Sequence, residues 1–224
     1  MKLHFVSSHP EMENVQTFKF EPEQPIAWQP GQYMHYVLEN LQPDDKGNER
    51  WFTISTAPFE KLIAITTRLD NLPFSNFKQA LVDMKAGDMI EADGPKGQFV
   101  LQDGDRRHVL IAGGIGITPF RSMLAELAHN QQSKTIDLLY ANRDNNFVFG
   151  QELKDLQSNY SSLTIKEFVD RRLELDDFKP YLSDSNSMYY LSGPRSMVES
   201  YQELLIENGV LPEQIMTDFF PGYP

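Results

Sequence analysis

The chain has 224 residues, 40% hydrophobic and 23% charged, the balance of a folded protein with a substantial core rather than a disordered one. Acidic residues number 32 against 20 basic ones, and the net charge of −12 repels nucleic acid and anionic membrane surfaces. Cysteine is absent, which excludes disulfides, thiolate catalysis, thiolate zinc sites and an iron–sulfur cluster on this chain, and is compatible with a reducing cytoplasm.

Other classes are excluded by spacing. The histidines (His4, His9, His35, His108, His129) are scattered without an i,i+4 pair, so no metal site is expected. The apolar run at the N-terminus is too short for a signal peptide. The richest apolar stretch, Val109 to Phe120, is full of glycine and shorter than the roughly 20 residues a bilayer span needs.

In chain order, the first half reads as short strands separated by turns. Val15–Phe20, Gln32–Leu38, Trp51–Ser55 and Leu62–Leu69 are rich in β-branched and aromatic residues. Pro30-Gly31, Asp44–Gly47 and Asp93-Gly94-Pro95 are predicted turns. One helix interrupts the series: Ser75 is a suitable N-cap, Phe77, Ala80, Leu81 and Met84 follow at helical spacing, and Gly87 ends it. Short strands with one helix predict an antiparallel β-barrel.

From about residue 106 the rhythm changes to strand–helix alternation. Predicted strands are His108–Ala112, Thr135–Tyr140, Ser162–Val169 and Met188–Leu191; predicted helices are Thr118–His129, Gly150–Leu156 and Pro194–Asn208. This pattern predicts a parallel sheet covered by helices. The polar turn Gln102–Asp105 places the boundary between a domain over 1–104 and a domain over 105–224.

Two segments carry chemistry. In His108–Pro119 a buried strand runs into Gly113-Gly114-Ile115-Gly116, and a helix then opens with Thr118 as its cap and Pro119 at its first position. Glycines let a ligand approach bare backbone, and a helix N-terminus presents N–H groups to phosphate. The turn departs from the dinucleotide fingerprint because Pro119 occupies the place of its third glycine. In Arg50-Trp51-Phe52-Thr53, alternation puts Arg50 and Phe52 on one face and Trp51 and Thr53 on the other; a twist or bulge would let Arg50, Phe52 and Thr53 line one ligand. A cation, an aromatic plane and a hydroxyl suit a phosphate, a ring system and a ring heteroatom.

Together and in this order, these segments resemble the ferredoxin–NADP reductase superfamily, and the resemblance covers essentially the whole chain. Arg50–Thr53 is similar to its R-x-[YF]-[ST] flavin motif, Pro30–Tyr33 to its P-G-Q-[YF] turn and Gly94–Phe99 to its G-P-x-G-x-F strand end. Gly113–Pro119 resembles its G-G-x-G-[IV]-T-P nicotinamide-nucleotide loop, and Gly193–Val198 lies in its C-G-P-x-x-M-V segment, with Ser192 in place of the cysteine. The resemblance implies a flavin barrel followed by an α/β nucleotide-binding domain. It implies FAD, with FMN the alternative, because Leu72-Pro73-Phe74 replaces the glycine usual before the pyrophosphate helix.

The resemblance also implies roles. Arg50 would pair with the flavin pyrophosphate, with Trp51 beside it in the motif. Phe52 would lie along the flavin without the phenol of the usual tyrosine, and Thr53 would sit near flavin N5. The strand around Thr66 would offer backbone groups, and Ser75, Asn76 and Phe77 would hold the pyrophosphate at a helix N-terminus. Gly114, Gly116, Thr118, Gly193 and Pro194 would meet the nicotinamide nucleotide, with Ser192 beside the nicotinamide. In the tail, Phe220 would shield the flavin and Asp218 would be the neighbouring acid, with Tyr223 a rival shield. Arg143 favours NADPH by pairing with a 2′-phosphate that Asp144 opposes, and NADH is the alternative. Arg121 and Arg195 lie near the two nucleotide motifs.

The implied activity is hydride transfer from nicotinamide to flavin, then electron delivery to a carrier protein: a ferredoxin, a flavodoxin or an oxygenase component. Two alternatives stand beside it, a small-molecule flavin or quinone reductase and a non-catalytic nucleotide-sensing module.

Overall fold

The computed structural model describes residues 1–39, 47–69 and 75–220, the last two by their backbone alone. The expected turn residues 44–46, the Leu72-Pro73-Phe74 segment and Tyr223 lie outside the described residues. Packing divides the chain into two units, Met1–Gln98 and Phe99–Pro224. This division falls upstream of the polar turn where the sequence places a boundary, because Phe99 joins the second core: its ring lies 5.7 Å from Phe120 and 5.8 Å from Tyr190.

Unit 1 is a six-stranded antiparallel half-barrel. Its strands are β1 (Lys2–Met12), β2 (Val15–Pro22), β3 (Tyr33–Val37), β4 (Glu49–Thr53), β5 (Ile63–Arg68) and β6 (Met89–Lys96), ordered β4-β3-β6-β1-β2-β5. The two edge strands approach each other just beyond β4, where Ser55 N–H donates to the Ala64 carbonyl at 3.0 Å. Phe18, Phe20, Met34, Tyr36, Ile54 and Ile65 fill the interior. Helix α1 (Asn76–Asp83) adds Phe77 and Leu81 to that core. Its start follows the sequence reading, since Ser75 Oγ accepts the Lys78 N–H at 3.3 Å.

Two strands of this unit escape the sequence pattern. β1 buries only Leu3 and Phe5 fully, and its middle, Val6–Pro10, is exposed, so the period-2 signal is missing. Asp93-Gly94-Pro95 is not a turn: β6 runs through it, with a cis Gly94–Pro95 peptide and a register irregularity opposite Tyr33 to His35.

Unit 2 is a five-stranded parallel sheet with helices on both faces. Strands β7 (Arg107–Gly113), β8 (Thr135–Asn142), β9 (Leu163–Val169), β10 (Met188–Pro194) and β11 (Ile215–Phe220) are ordered β11-β10-β7-β8-β9. The helices are α2 (Thr118–His129), α3 (Gly150–Asn159), α4 (Leu175–Leu182) and α5 (Arg195–Glu207). Phe178 and Tyr181 of α4 and Val198, Tyr201 and Leu205 of α5 pack with Val109, Ile111, Tyr189 and Leu191 of the sheet. The sequence pattern misses α4, which carries Pro180 inside it and is held at its start by Asp177, whose carboxylate accepts the Glu174 N–H at 2.8 Å and two Arg171 bonds at 2.7 Å. It also misses β11, which the sequence presents as an aromatic tail and which lies parallel to β10 from Tyr189↔Ile215 to Pro194↔Phe220.

Candidate functional site

In unit 1, the alternation of β4 separates its motif residues. Phe52 packs inward, its ring 6.0 Å from both Tyr36 and Phe77. Arg50 leaves the same side of the strand and carries its guanidinium over the Phe77 ring at 5.4 Å, beside the first turn of α1. Its Nη1 also donates to the Gly47 and Glu49 carbonyls at 3.1 and 2.6 Å. Lys78 enters the same turn from the helix and donates to the Arg68 carbonyl at 2.6 Å, a second cation that the sequence motifs do not single out. A cation and the opening N–H groups of a capped helix thus converge, a donor set suited to a pyrophosphate.

Trp51 does not join this group. It is half-exposed on the other face, stacked on His35 with ring centroids 4.3 Å apart. No bulge interrupts β4 against β3, so alternation leaves the buried Thr53 on Trp51's side of the strand rather than beside Phe52. Thr66 is buried, and its hydroxyl is bonded to Thr17 and Ser55, each at 2.8 Å. Thr17 in turn donates to Glu11 at 2.7 Å. The Tyr36 hydroxyl, by contrast, is buried with no hydrogen-bond partner among the described residues.

In unit 2, β7 is central and its neighbours β10 and β8 lead in opposite directions across the sheet. The carboxyl ends of β7 and β10 therefore form a topological switch point, where open α/β sheets bind ligands. The Gly-rich turn sits there, but the helix begins differently from the sequence reading. Gly114–Ile117 form a 3₁₀ turn that runs straight into α2, so Thr118 is a buried first helical residue and not the cap. Gly114 takes a positive φ of 53°, and its carbonyl accepts the Tyr140 hydroxyl at 3.0 Å.

Packing requires glycine at position 116 of this turn. A methyl on Gly116 would stand 2.2 Å from the Ser192 carbonyl oxygen, and one on Gly113 would stand 2.4 Å from Met197 Sδ. Gly193 has a φ of 153° and faces Met197 Cε and the Gly113 carbonyl. Pro194 ends β10 in an extended conformation and immediately precedes α5.

Ser192 is fully buried and donates to Asp218 Oδ2 at 3.5 Å, across paired positions of β10 and β11. It does not cap α5. Burial pushes the Asp218 carboxyl up to about 6, against the opposing pull of the Ser192 hydrogen bond. Phe220 pairs with Pro194 along the backbone, and its side chain lies outside the described residues.

The arginines separate into two kinds. Arg121 bridges Glu152 at 2.7 Å and covers Phe149, and Arg195 bridges Glu199 at 2.6 Å. Arg143 is exposed just beyond β8. Its neighbour Asp144, also exposed, bonds to its own loop: Oδ1 accepts the Asn146 N–H at 2.8 Å and an Asn142 amide N–H at 3.2 Å. Among the described residues there is no cluster of three or more His, Asp or Glu able to hold a metal, and no helix long and apolar enough to cross a membrane.

An antiparallel half-barrel carrying a capped helix, and a parallel sheet with a glycine turn at its switch point, make up the fold seen in ferredoxin–NADP reductases. Residues 110–203 match the oxidoreductase NAD-binding domain family. A flavohemoprotein from Bacillus thuringiensis subsp. konkukian (strain 97-27) is 25% identical over 234 residues, covering 94% of this chain and 58% of the relative. The chain thus spans little more than half the length of that curated relative. Two solved structures share the fold: the flavohem-like FAD/NAD binding domain of nitric oxide dioxygenase from Vibrio cholerae O1 biovar El Tor (TM-score 0.84, 21% identity, 98% of each chain) and the ferredoxin reductase in carbazole 1,9a-dioxygenase (TM-score 0.78, 20% identity, 98% of this chain and 69% of that one). Residues 110–203 thus carry the match to the oxidoreductase NAD-binding family, and the chain as a whole shares its fold with these reductases.

Proposed function

We propose that this chain is an NAD(P)H-dependent flavin reductase module that passes electrons to a protein carrier. The observation that carries this reading is the Gly113–Gly116 turn at the switch point of unit 2, flanked by the hydrogen-bonded Ser192–Asp218 pair.

In this reading FAD belongs to the first domain. Arg50 and the start of α1 (Ser75, Asn76, Phe77) take the pyrophosphate, Phe52 supports the flavin ring, and the backbone around Thr53 and Thr66 orients it. When bound, the flavin supplies hydride acceptance and one-electron release. The nicotinamide nucleotide belongs to the second domain, on Gly114, Gly116, Thr118, Gly193 and Pro194. Ser192 and Asp218 are the catalytic pair beside the nicotinamide, and the Asp218 carboxyl, titrating near 6, is suited to hold or release a proton close to neutrality.

Arg143 selects NADPH over NADH. Asp144, the group that would oppose a 2′-phosphate, has one carboxylate oxygen committed to its own loop, while the Arg143 side chain projects to solvent. The acceptor is a ferredoxin, a flavodoxin or an oxygenase or haem component, in keeping with the relatives named above, and the compartment is the cytoplasm.

Purification followed by a visible spectrum, identification of released flavin and anaerobic titration with NADPH and NADH tests this. The expected results are a yellow protein containing FAD, bleaching by NADPH at lower concentration than by NADH, and weakened flavin retention in Arg50→Ala. A colourless protein that takes up no added flavin would overturn the reading. Turnover with free flavins or quinones equal to that with any carrier would reassign it to a small-molecule reductase, and failure of both coenzymes to bleach bound flavin would make it a sensing module.

A further inference from the structure

Between the ends of β7 and β10 lies a side chain that the proposed function does not use. Met197, in the first turn of α5, is partly exposed, and its thioether occupies the volume left by two glycines. Its Sδ stands 2.4 Å and its Cε 2.9 Å from where a Gly113 Cβ would be, and Cε stands 2.8 Å from a Gly193 Cβ position. Gly113 opens the glycine turn and Gly193 leads into α5, so the thioether packs against both backbone segments of the switch point. A thioether suits such a slot because it is apolar, polarisable and flexible.

The same properties make this position chemically sensitive. We propose that Met197 is an oxidation site, converted by hydrogen peroxide to the sulfoxide, and that this modification opens the nucleotide-binding turn. In the reaction a sulfur lone pair attacks one peroxide oxygen; the S–O bond forms, the O–O bond breaks, water leaves, and sulfur is oxidised by two electrons as the peroxide is reduced. The added oxygen makes the thioether, which is packed against Gly113 and Gly193, both larger and polar. The oxygen stays in the slot without a hydrogen-bond donor, pushes the β7 and β10 ends apart, or turns the sulfur out to solvent, and each outcome disturbs the packing at Gly113 and Gly193. Methionine sulfoxide reductases restore the thioether, so the change is reversible.

The binding consequence rests on the reading of unit 2 as the nicotinamide-nucleotide unit. The test treats the full chain, and Met197→Leu in parallel, with hydrogen peroxide; sulfoxides are located by peptide mass spectrometry, and NADPH affinity and thermal unfolding are measured before and after. Met197 is expected to oxidise, with NADPH affinity falling by about tenfold or more, the scale of an unpaired buried polar atom. Methionine sulfoxide reductase treatment restores the affinity, and Met197→Leu keeps the affinity of its own untreated form. Three results would each overturn the proposal: a Met197 that stays reduced while the exposed Met1 and Met89 oxidise, a sulfoxide at 197 that leaves affinity within about twofold, or an equal loss in the leucine variant. If the untreated chain binds no nicotinamide nucleotide, the functional reading fails separately. The oxidation site is then judged by whether peroxide lowers the unfolding midpoint in the wild type and not in Met197→Leu.

Discussion

Ser192 and Asp218, 26 residues apart, meet because β11 lies parallel to β10 with these two positions in register. The serine hydroxyl gives the carboxyl a hydrogen bond, but burial dominates and holds the Asp218 pKa at about 6 instead of 3.8. The native state therefore keeps a proton that the unfolded chain has lost between those values. Stability from this group is full below 3.8 and is lost as pH rises through about 6. Asp218→Asn is expected to remove that loss, raising stability at pH 7 relative to pH 4 by ~2–3 kcal/mol compared with wild type. Urea unfolding across this range reads the difference directly; parallel pH profiles for the two proteins would contradict it.

His108 acts with the opposite sign. It is fully buried in β7, and neither ring nitrogen has a partner among the described residues. Burial first, then the charges of Lys134 and Arg106, lower its pKa from 6.5 to about 4. Its stability is present above 6.5 and is lost as pH falls through about 4. Between pH 4 and 6 the two groups in unit 2 nearly cancel. His108→Leu is expected to expose the Asp218 slope, with stability falling as pH rises, and Asp218→Asn to expose the histidine slope. Should the leucine variant show the same pH dependence as wild type, His108 is hydrated or paired in solution.

Much of unit 2 is legible in the sequence, because helices packed on one face of a sheet repeat at 3.6 residues and buried parallel strands are short apolar runs. The helix Thr118–His129 has the same ends in sequence and structure. β1, β6 and β11 are much less legible. β1 is exposed through its middle, β6 runs through a Gly-Pro step that reads as a turn, and β11 is short and ends in the aromatic tail. At the sites, Arg50, Phe52 and the glycine turn announce themselves by residue type. What sequence cannot show is which neighbour each residue meets: Trp51 against His35, Gly116 against the Ser192 carbonyl, and Asp218 against Ser192 all depend on long-range pairing.

The contact at Gly116 yields a third prediction. An alanine methyl there would lie 2.2 Å from the Ser192 oxygen and 2.7 Å from Gly193 Cα, both backbone atoms that no side-chain rotation can clear. Gly116→Ala is expected to cost about 2–3 kcal/mol, the upper range for overpacking, and to shift the Ser192–Asp218 pair. Denaturant unfolding measures the first effect, and the titration of Asp218 followed by NMR measures the second. A fully stable variant with Asp218 still titrating near 6 would mean that the two backbone segments are looser than described.

Tyr36 offers a test in unit 1. Its ring contributes to the core beside Phe52, while its hydroxyl is buried without a hydrogen bond and its pKa is raised by burial alone. A buried hydroxyl left unpaired costs about 1–3 kcal/mol, whereas the ring's apolar contacts survive its removal. Tyr36→Phe is therefore expected to stabilise the flavin-free chain by about 1 kcal/mol, measured as a higher denaturation midpoint at unchanged m-value. If a bound flavin or an ordered water satisfies the hydroxyl, the gain shrinks or reverses in the flavin-loaded protein. The difference between the two states then reports whether Tyr36 faces the cofactor. Destabilisation of the flavin-free variant by a similar amount would show instead that the hydroxyl is already paired in the empty barrel.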